Sequence, residues 1–263
     1  MPTHRAIAFD SAGCDVLAGW LGDTPETTIS LHLLRRRLCS AYALGEPGRP
    51  DAVVIQPSRL PEEPMAYGTD VGAIWSILRR LQGWTCINVD VEAARHLGPL
   101  METDMGRDVR QVDDVYHTLD RPVAGLLHPA VRSLTRDDQA LLEDAPADLR
   151  DMALGFGSFG GLLDEGVAAG AMVDGGLVAL ACTTAQTERH ADVGVVTVES
   201  WRGRGLATAC AFLVADDILR SGRVPVWSTG DHNTASIQVA RKLGFREVGR
   251  RAYLVPVHDI DLR

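Results

Sequence analysis

What most constrains this chain is a run of β-branched residues that breaks at two glycines and resumes as a segment rich in Ala and Leu. Over residues 193–219, Val193, Val195, Val196, Thr197 and Val198 predict a strand, Gly203 and Gly205 a turn, and the remainder a helix. In Arg202-Gly203-Arg204-Gly205-Leu206-Ala207 two residues without a Cβ let backbone N–H groups converge just ahead of a helix whose first donors have no internal partner. Such a nest binds an anion, most naturally a phosphate. Arg202 and Arg204 add mobile positive charge, and the small Ala207 lets the first helical turn approach closely. A Walker loop would end in Gly-Lys-Ser/Thr, and a dinucleotide fold would need three spaced glycines and a later acidic residue. Neither pattern is present.

The order R-x-x-G-x-A after a strand resembles the pyrophosphate loop of the GNAT superfamily of N-acetyltransferases. Downstream, Pro225-Val226-Trp227-Ser228-Thr229 reads as the next strand. The segment from Asn233 through Ser236, Ala240, Lys242 and Leu243 to Gly244-Phe245 is similar to the N-x-x-S...A-x-K-L-G-F helix of that family. Asn233 has the chemistry of a helix N-cap, and Gly244 that of a left-handed residue after a helix. The resemblance is strongest over residues 193–245 and extends from about Val131 to the C-terminus.

The resemblance implies acetyl-CoA as co-substrate, without a metal, and direct acetyl transfer to an amine in a ternary complex. It implies that the pantetheine arm runs along Val195, Val196 and Thr197. The pyrophosphate then lies around Arg202, Gly203, Arg204, Gly205, Leu206, Ala207 and Thr208, with Asn233 and Ser236 beside the arm. On local grounds Asn233 is equally a plain N-cap and Ser236 a solvent-facing helical serine. Where many relatives carry a tyrosine that protonates the leaving thiolate, this helix has Ala240. Glu199 and His232 are the candidate catalytic residues, with Asp192 and Asp231 behind them; Glu199 is alternatively an ordinary carboxylate beside Arg202. The alternative to an enzyme is a non-enzymatic acyl-CoA-binding or regulatory module. The acceptor, a small-molecule or peptide amine, and the oligomeric state are not encoded in a donor-site motif.

The expected fold is α/β in the α+β sense: a GNAT-like mixed, largely antiparallel sheet flanked by helices over residues 123–263. A smaller α/β domain precedes it over residues 1–122. That first half reads as a helix over 30–42 carrying Arg35-Arg36-Arg37 on a solvated face, and a Gly/Pro-rich break over 45–50. A strand at 52–56, a helix at 71–81, a strand at 85–89, a helix at 91–105 and an extended stretch at 109–119 follow. This succession and the likeness of VRQVDDVYHTL (109–119) to FREVGRRAYLV (245–255) suggest a degenerate GNAT-like repeat. The proline-rich loop 57–64 lacks a Gly-x-Gly nest, so the copy is expected to have lost the cofactor.

In the second half, 131–134 predicts a first strand and Thr135-Arg-Asp-Asp-Gln a helix start with acidic residues at its positive end. Phe156 and Phe159, in a Gly-rich connection, are either core or acceptor contacts. Strands at 167–173 and 177–184 flank the turn Asp174-Gly175-Gly176.

A net charge of -9 argues against a nucleic-acid partner. The N-terminal residues have no apolar core of a signal peptide, and the longest apolar run is too short to span a bilayer, so no membrane partner and a cytoplasmic location are expected. Five dispersed cysteines (Cys14, Cys39, Cys86, Cys182, Cys210) show neither zinc spacing nor a disulfide framework. Cys182 and Cys210 are expected to be buried thiols rather than nucleophiles.

Overall fold

The computed structural model describes residues 7–8, 11–46, 48–121 and 124–257. The chain forms two compact units, neither contiguous in sequence. The first comprises Met1–Gly22, Ser30–Val115 and Arg250–Arg263; the second comprises Asp23–Ile29 and Tyr116–Gly249. The expected boundary at residues 122 and 123 lies outside the described residues.

The first unit opens with β1 (Ile7–Ala8), α1 (Ser11–Leu21) and α2 (Thr28–Arg36, its first residues in the second unit). Next come β2 (Cys39–Glu46), β3 (Arg49–Pro57), β4 (Met65–Tyr67), α3 (Val71–Leu78), β5 (Ile87–Asp90), α4 (Val91–Met105) and β6 (Val109–Thr118), which passes into the second unit at Tyr116. β2 and β3 form an antiparallel hairpin, β4 adds antiparallel to β3, and β5 runs parallel to β4. β3 shows why the sheet is buried on both faces: Ala52 and Val54 enter the core under α3 and α4, while Val53 and Ile55 enter the one under α1 and α2. All four are fully buried, as period-two alternation between two apolar layers requires.

The helix expected over 30–42 stops at Arg36, because Arg37 adopts a left-handed φ of 60° and the chain enters β2 two residues later. Ala41 is buried as a strand residue, not a helical one. Arg35 and Arg37 are exposed as expected, and Arg37 donates to Asp15 on α1 at 2.8 Å. β4 was not anticipated; it is three residues long, directly after Pro64, too short to show alternation.

The second unit contains β7 (Val131–Ser133), α5 (Gln139–Glu143), α6 (Ala147–Met152), α7 (Phe159–Glu165), β8 (Ala168–Val173), β9 (Gly176–Gln186) and β10 (His190–Thr197). It continues through α8 (Leu206–Arg220), β11 (Val224–Gly230), α9 (Thr234–Leu243) and β12 (Arg246–Pro256). β7, β8, β9 and β10 pair antiparallel in that order, and β11 joins β10 in parallel. The mixed, largely antiparallel sheet flanked by helices is therefore present. α8 covers one face: Leu206, Cys210, Ala211, Val214, Ala215 and Ile218 pack on Ala191, Val193, Ala179 and Ala181. The helices α5, α6 and α7 cover the other through Leu142, Leu149 and Leu162, with Phe156 from the connection between α6 and α7. From Arg250 onward β12 belongs to the first unit, where it pairs antiparallel with β5.

The strand–helix–strand–helix succession around a parallel pair occurs in both units: β4, α3, β5 and α4 in the first, β10, α8, β11 and α9 in the second. The repeat suggested by the sequence is thus visible in the order of elements and in strand direction.

Close approach of α6 to the sheet depends on two glycines. A Cβ on Gly155 would lie 2.2 Å from the Thr184 carbonyl oxygen, and one on Gly194 would meet Thr184 Cγ2 at 2.6 Å and Met152 Sδ at 2.9 Å. Gly155→Ala pushes against backbone that cannot yield, so a loss of about 2–3 kcal/mol is expected in urea unfolding. A change below 0.5 kcal/mol, on the order of a surface substitution, would contradict this contact.

The expected helix start at Thr135 is a single 3-10 turn, Arg136–Asp138, closed by a capping box of Thr135 and Asp138. Asp138 accepts a bidentate pair from Arg132, at 2.6 and 2.8 Å, and the Thr135 N–H at 2.9 Å. The Arg132 hydrogen bonds lead in holding its carboxyl down to about 2, against an ordinary 3.8. A depressed carboxylate pKa means stability that is present above about pH 4 and lost as pH falls toward 2. Asp138→Asn should therefore flatten the acid limb of the stability profile in that window while leaving its shape at neutral pH unchanged, which a urea series at stepped pH would read.

Candidate functional site

The site is built where β10 and β11 separate. They are in register over only three positions, His190 with Val224, Ala191 with Pro225 and Asp192 with Val226. At Asp192/Val193 the pairing of β10 with β9 shifts register, an irregularity that bends and twists a strand. From there to Thr197 the β9 side of β10 stays paired, down to Thr197 with Ala179, whereas the side toward β11 has no strand partner among the described residues. Val195, Val196 and Thr197 lie on this open edge, half-buried. Open N–H and C=O groups on an internal strand can accept an extended ligand as another strand would pair.

The open edge leads into the glycine turn. After one 3-10 turn at Glu199–Trp201, Arg202 is extended, Gly203 takes φ 77° and Gly205 takes φ 80° as the N-cap of α8. A Cβ at either glycine would touch nothing within 4 Å, so the requirement is for left-handed backbone, not space. With glycine at the N-cap, no side chain caps the first N–H groups of α8, and the donors of Leu206, Ala207 and Thr208 begin the helix uncovered. Arg202 donates from Nε to the Thr197 carbonyl at 3.3 Å, and Arg204 stacks over the Trp201 ring at 4.4 Å. Both guanidinium groups are thereby held at the rim of the turn.

On α9, the Asn233 side chain accepts the Ser236 N–H at 3.1 Å and is the N-cap. The Ser236 hydroxyl accepts from the Trp227 indole N–H at 2.9 Å, so it faces the β11 side of the helix and not open solvent. Ala240 is fully buried in the core beneath α8 and α9 and carries no proton donor.

The candidate proton carriers lie at different depths. Glu199 is exposed at the start of the turn, and His232 is exposed with its ring 3.8 Å from Asp231. Asp192 is buried at the last paired position, where its carboxylate accepts from Thr184 on β9 and, at 3.2 Å, from Ser228 on β11. Its carboxylate thus bridges the strands where they begin to part. Nothing in the sequence connects Ser228 with Asp192, because that contact is made between strands 36 residues apart, whereas Thr184 lies on the preceding strand. Phe156 is buried and Phe159 packs against the same core, so the first of the two readings of these residues describes them.

None of the five cysteines is in a disulfide. Burial pushes the Cys182 and Cys210 thiols up to about 12, which keeps them protonated and unreactive near neutrality. No group of His, Cys, Asp and Glu able to hold a metal occurs among the described residues, and no helix among them is long and apolar enough to cross a membrane.

β10 and β11 thus run parallel and part toward the glycine-capped start of α8. Residues 123–253 match the family profile described as GNAT acetyltransferase. No curated protein sequence matches the chain. Among solved structures it is similar to a GCN5-related N-acetyltransferase-like protein from Streptococcus suis, with a TM-score of 0.69 at 20% identity over 94% of this chain and 99% of that one. A GNAT-family acetyltransferase from Novosphingobium aromaticivorans matches with a TM-score of 0.56 at 20% identity, over 90% of this chain and 100% of the other. A tandem GNAT protein from the clavulanic acid biosynthesis pathway matches with a TM-score of 0.58 at 15% identity over 95% and 97% of the two chains. At these identities the likeness is one of fold.

Proposed function

We propose that the protein is an N-acetyltransferase that takes its acetyl group from acetyl-CoA and passes it directly to an amine in a ternary complex. The observation carrying this reading is the unpaired edge of β10 running into a helix N-terminus that no side chain caps. The pantetheine arm lies along Val195, Val196 and Thr197, with the pyrophosphate on the N–H groups of the turn and of Leu206, Ala207 and Thr208. Arg202 and Arg204 supply the balancing charge. Asn233 and Ser236, at the start of α9, border the arm.

The amine attacks the thioester carbonyl carbon, the C–N bond forms as the C–S bond breaks, and the nitrogen loses a proton. Asp192 is the group we assign to receive it, because its carboxylate bridges the point of strand separation while Glu199 and His232 stand exposed at the rim. Those two suit approach and release of a cationic acceptor. With Ala240 buried in the core, the thiolate takes its proton from solvent.

Ala240 also favours a second reading, an acyl-CoA-binding module without turnover. Calorimetric titration with acetyl-CoA against CoA alone tests the donor site. Release of free CoA thiol over a panel of amines separates enzyme from module. Saturable binding with amine-dependent thiol release is the expected result; binding without release supports the module, and no binding ends both readings.

A further inference from the structure

The first unit has its own parallel pair at the corresponding place, and side chains occupy it. Met65 on β4 is opposite Asn88 on β5, with the Asn88 N–H on the Pro64 carbonyl at 2.9 Å and the Cys86 N–H on the Glu62 carbonyl at 3.2 Å. Just past that pair, Arg251 reaches in from β12. Its terminal nitrogen donates to the Ala66 carbonyl at 2.7 Å and to the Asn88 carbonyl at 3.3 Å, and its Nε donates to the Asn88 side-chain oxygen. The guanidinium lies over the Tyr67 ring at 4.3 Å and the residue is only 5% exposed. Asn88 passes the charge on by donating to Asp114 at 2.9 Å. A single fork thus joins the carbonyls of β4 and β5, the kind of backbone group that remains open along β10.

The helix that follows is closed as well. α3 begins at Asp70, whose carboxylate accepts the Ala73 N–H at 2.9 Å, where α8 begins at an uncapped Gly205. A negative charge seated on those donors satisfies them and repels a phosphate. The proline-rich loop blamed from the sequence lies before β4, not between strand and helix; Asp70 is the group that stands at the position of interest.

We propose that Arg251 and Asp70 are built-in substitutes for a bound donor in the first unit, sealing its strand gap and helix end, so that the chain carries a single acyl-CoA site. The comparison rests on the donor reading of the second unit, but the seal consists of contacts that need no ligand. It assigns the last strand a definite role: β12 supplies the arginine that keeps the first unit shut.

Hydrogen exchange of the full chain with and without acetyl-CoA reads both units at once. Exchange in residues 66–73 and 87–91 should be unchanged while residues 193–209 slow. Slowing in 66–73 overturns the proposal, whereas absence of slowing in 193–209 overturns the donor reading alone. The seal is then read without ligand. Arg251→Met removes the donor that the Ala66 and Asn88 carbonyls and the Asn88 side-chain oxygen share, and should lower Tm by about 5–10 °C and speed exchange in 66–73 and 87–91. Should that chain not fold, Arg251→Lys, which keeps the charge but not the fork, is expected to show the same acceleration. Unchanged Tm and exchange in a folded variant overturns the seal.

Discussion

Gly205→Asp should abolish donor binding, weakening acetyl-CoA by at least about 100-fold in a calorimetric titration. The substitution is chosen because the structure tolerates its bulk. A Cβ at this position touches nothing within 4 Å, and Asp is among the few L-residues that enter left-handed backbone at modest cost. The carboxylate would then do at α8 what Asp70 does at α3, accepting from the first helical N–H groups and setting a negative charge where the pyrophosphate should sit. Loss of two or three charge-assisted hydrogen bonds together with like-charge repulsion is worth about 3 kcal/mol or more, hence the factor of about 100. Gly205→Ala separates the contributions: it strains φ without adding charge, and should cost much less. Equal affinity of the Asp variant and the parent would mean that the nest is not where the donor binds.

The second large effect is expected from Asp192→Asn. If the Asp192 carboxylate accepts the amine proton, the amide should lower kcat by about 100- to 10,000-fold, the range for a lost general base. Acetyl-CoA affinity should stay within a few-fold of the parent, because the carboxylate is assigned to the acceptor and not to the donor. Asn can accept from one of the Thr184 and Ser228 hydroxyls through its oxygen and donate to the other through its NH2, so the bridge between β9, β10 and β11 survives in part. Glu199→Gln and His232→Asn serve as comparisons; both residues are exposed, and changes in KM larger than those in kcat are expected there. Should Asp192→Asn turn over normally while Glu199→Gln does not, the proton leaves through the rim and the assignment made here is wrong.

How far the sequence foretold this arrangement varies by element, for identifiable reasons. Residues 193–245 were legible because each signal is local: a β-branched run, a glycine turn, an N-cap at Asn233 and a left-handed glycine at Gly244, whose φ is 96°. α4 begins and ends as expected, at Val91 and Met105, since Asp90 caps one end and the left-handed Gly106 stops the other. The end of α2 was misjudged because Leu38 and Ala41 fit a helical stripe and a strand face equally well, and only the backbone of Arg37 decides between them. β4 escaped notice because three residues cannot display a period. For the site, backbone features were readable and side-chain partnerships were not. The turn is written in adjacent residues, whereas Asp192 with Ser228, or Arg251 with Ala66, depends on which strands become neighbours. The pairing of β12 with β5 left a trace only as the likeness of two closing segments, which indicated kinship without revealing partner choice.

The membership of β12 bears on the order in which the protein can be made. Its residues from Arg250 complete the first unit beside β5, while Asp23 near the other end of the chain is tied into the second unit through His190 at 2.7 Å and Thr187 at 2.9 Å. During vectorial synthesis the opening half therefore emerges without its closing strand and without Arg251, leaving the Ala66 and Asn88 carbonyls unsatisfied and β5 with an open edge. It cannot close until β12 has become available, so that maturation of the half made first is timed by the appearance of a strand made later.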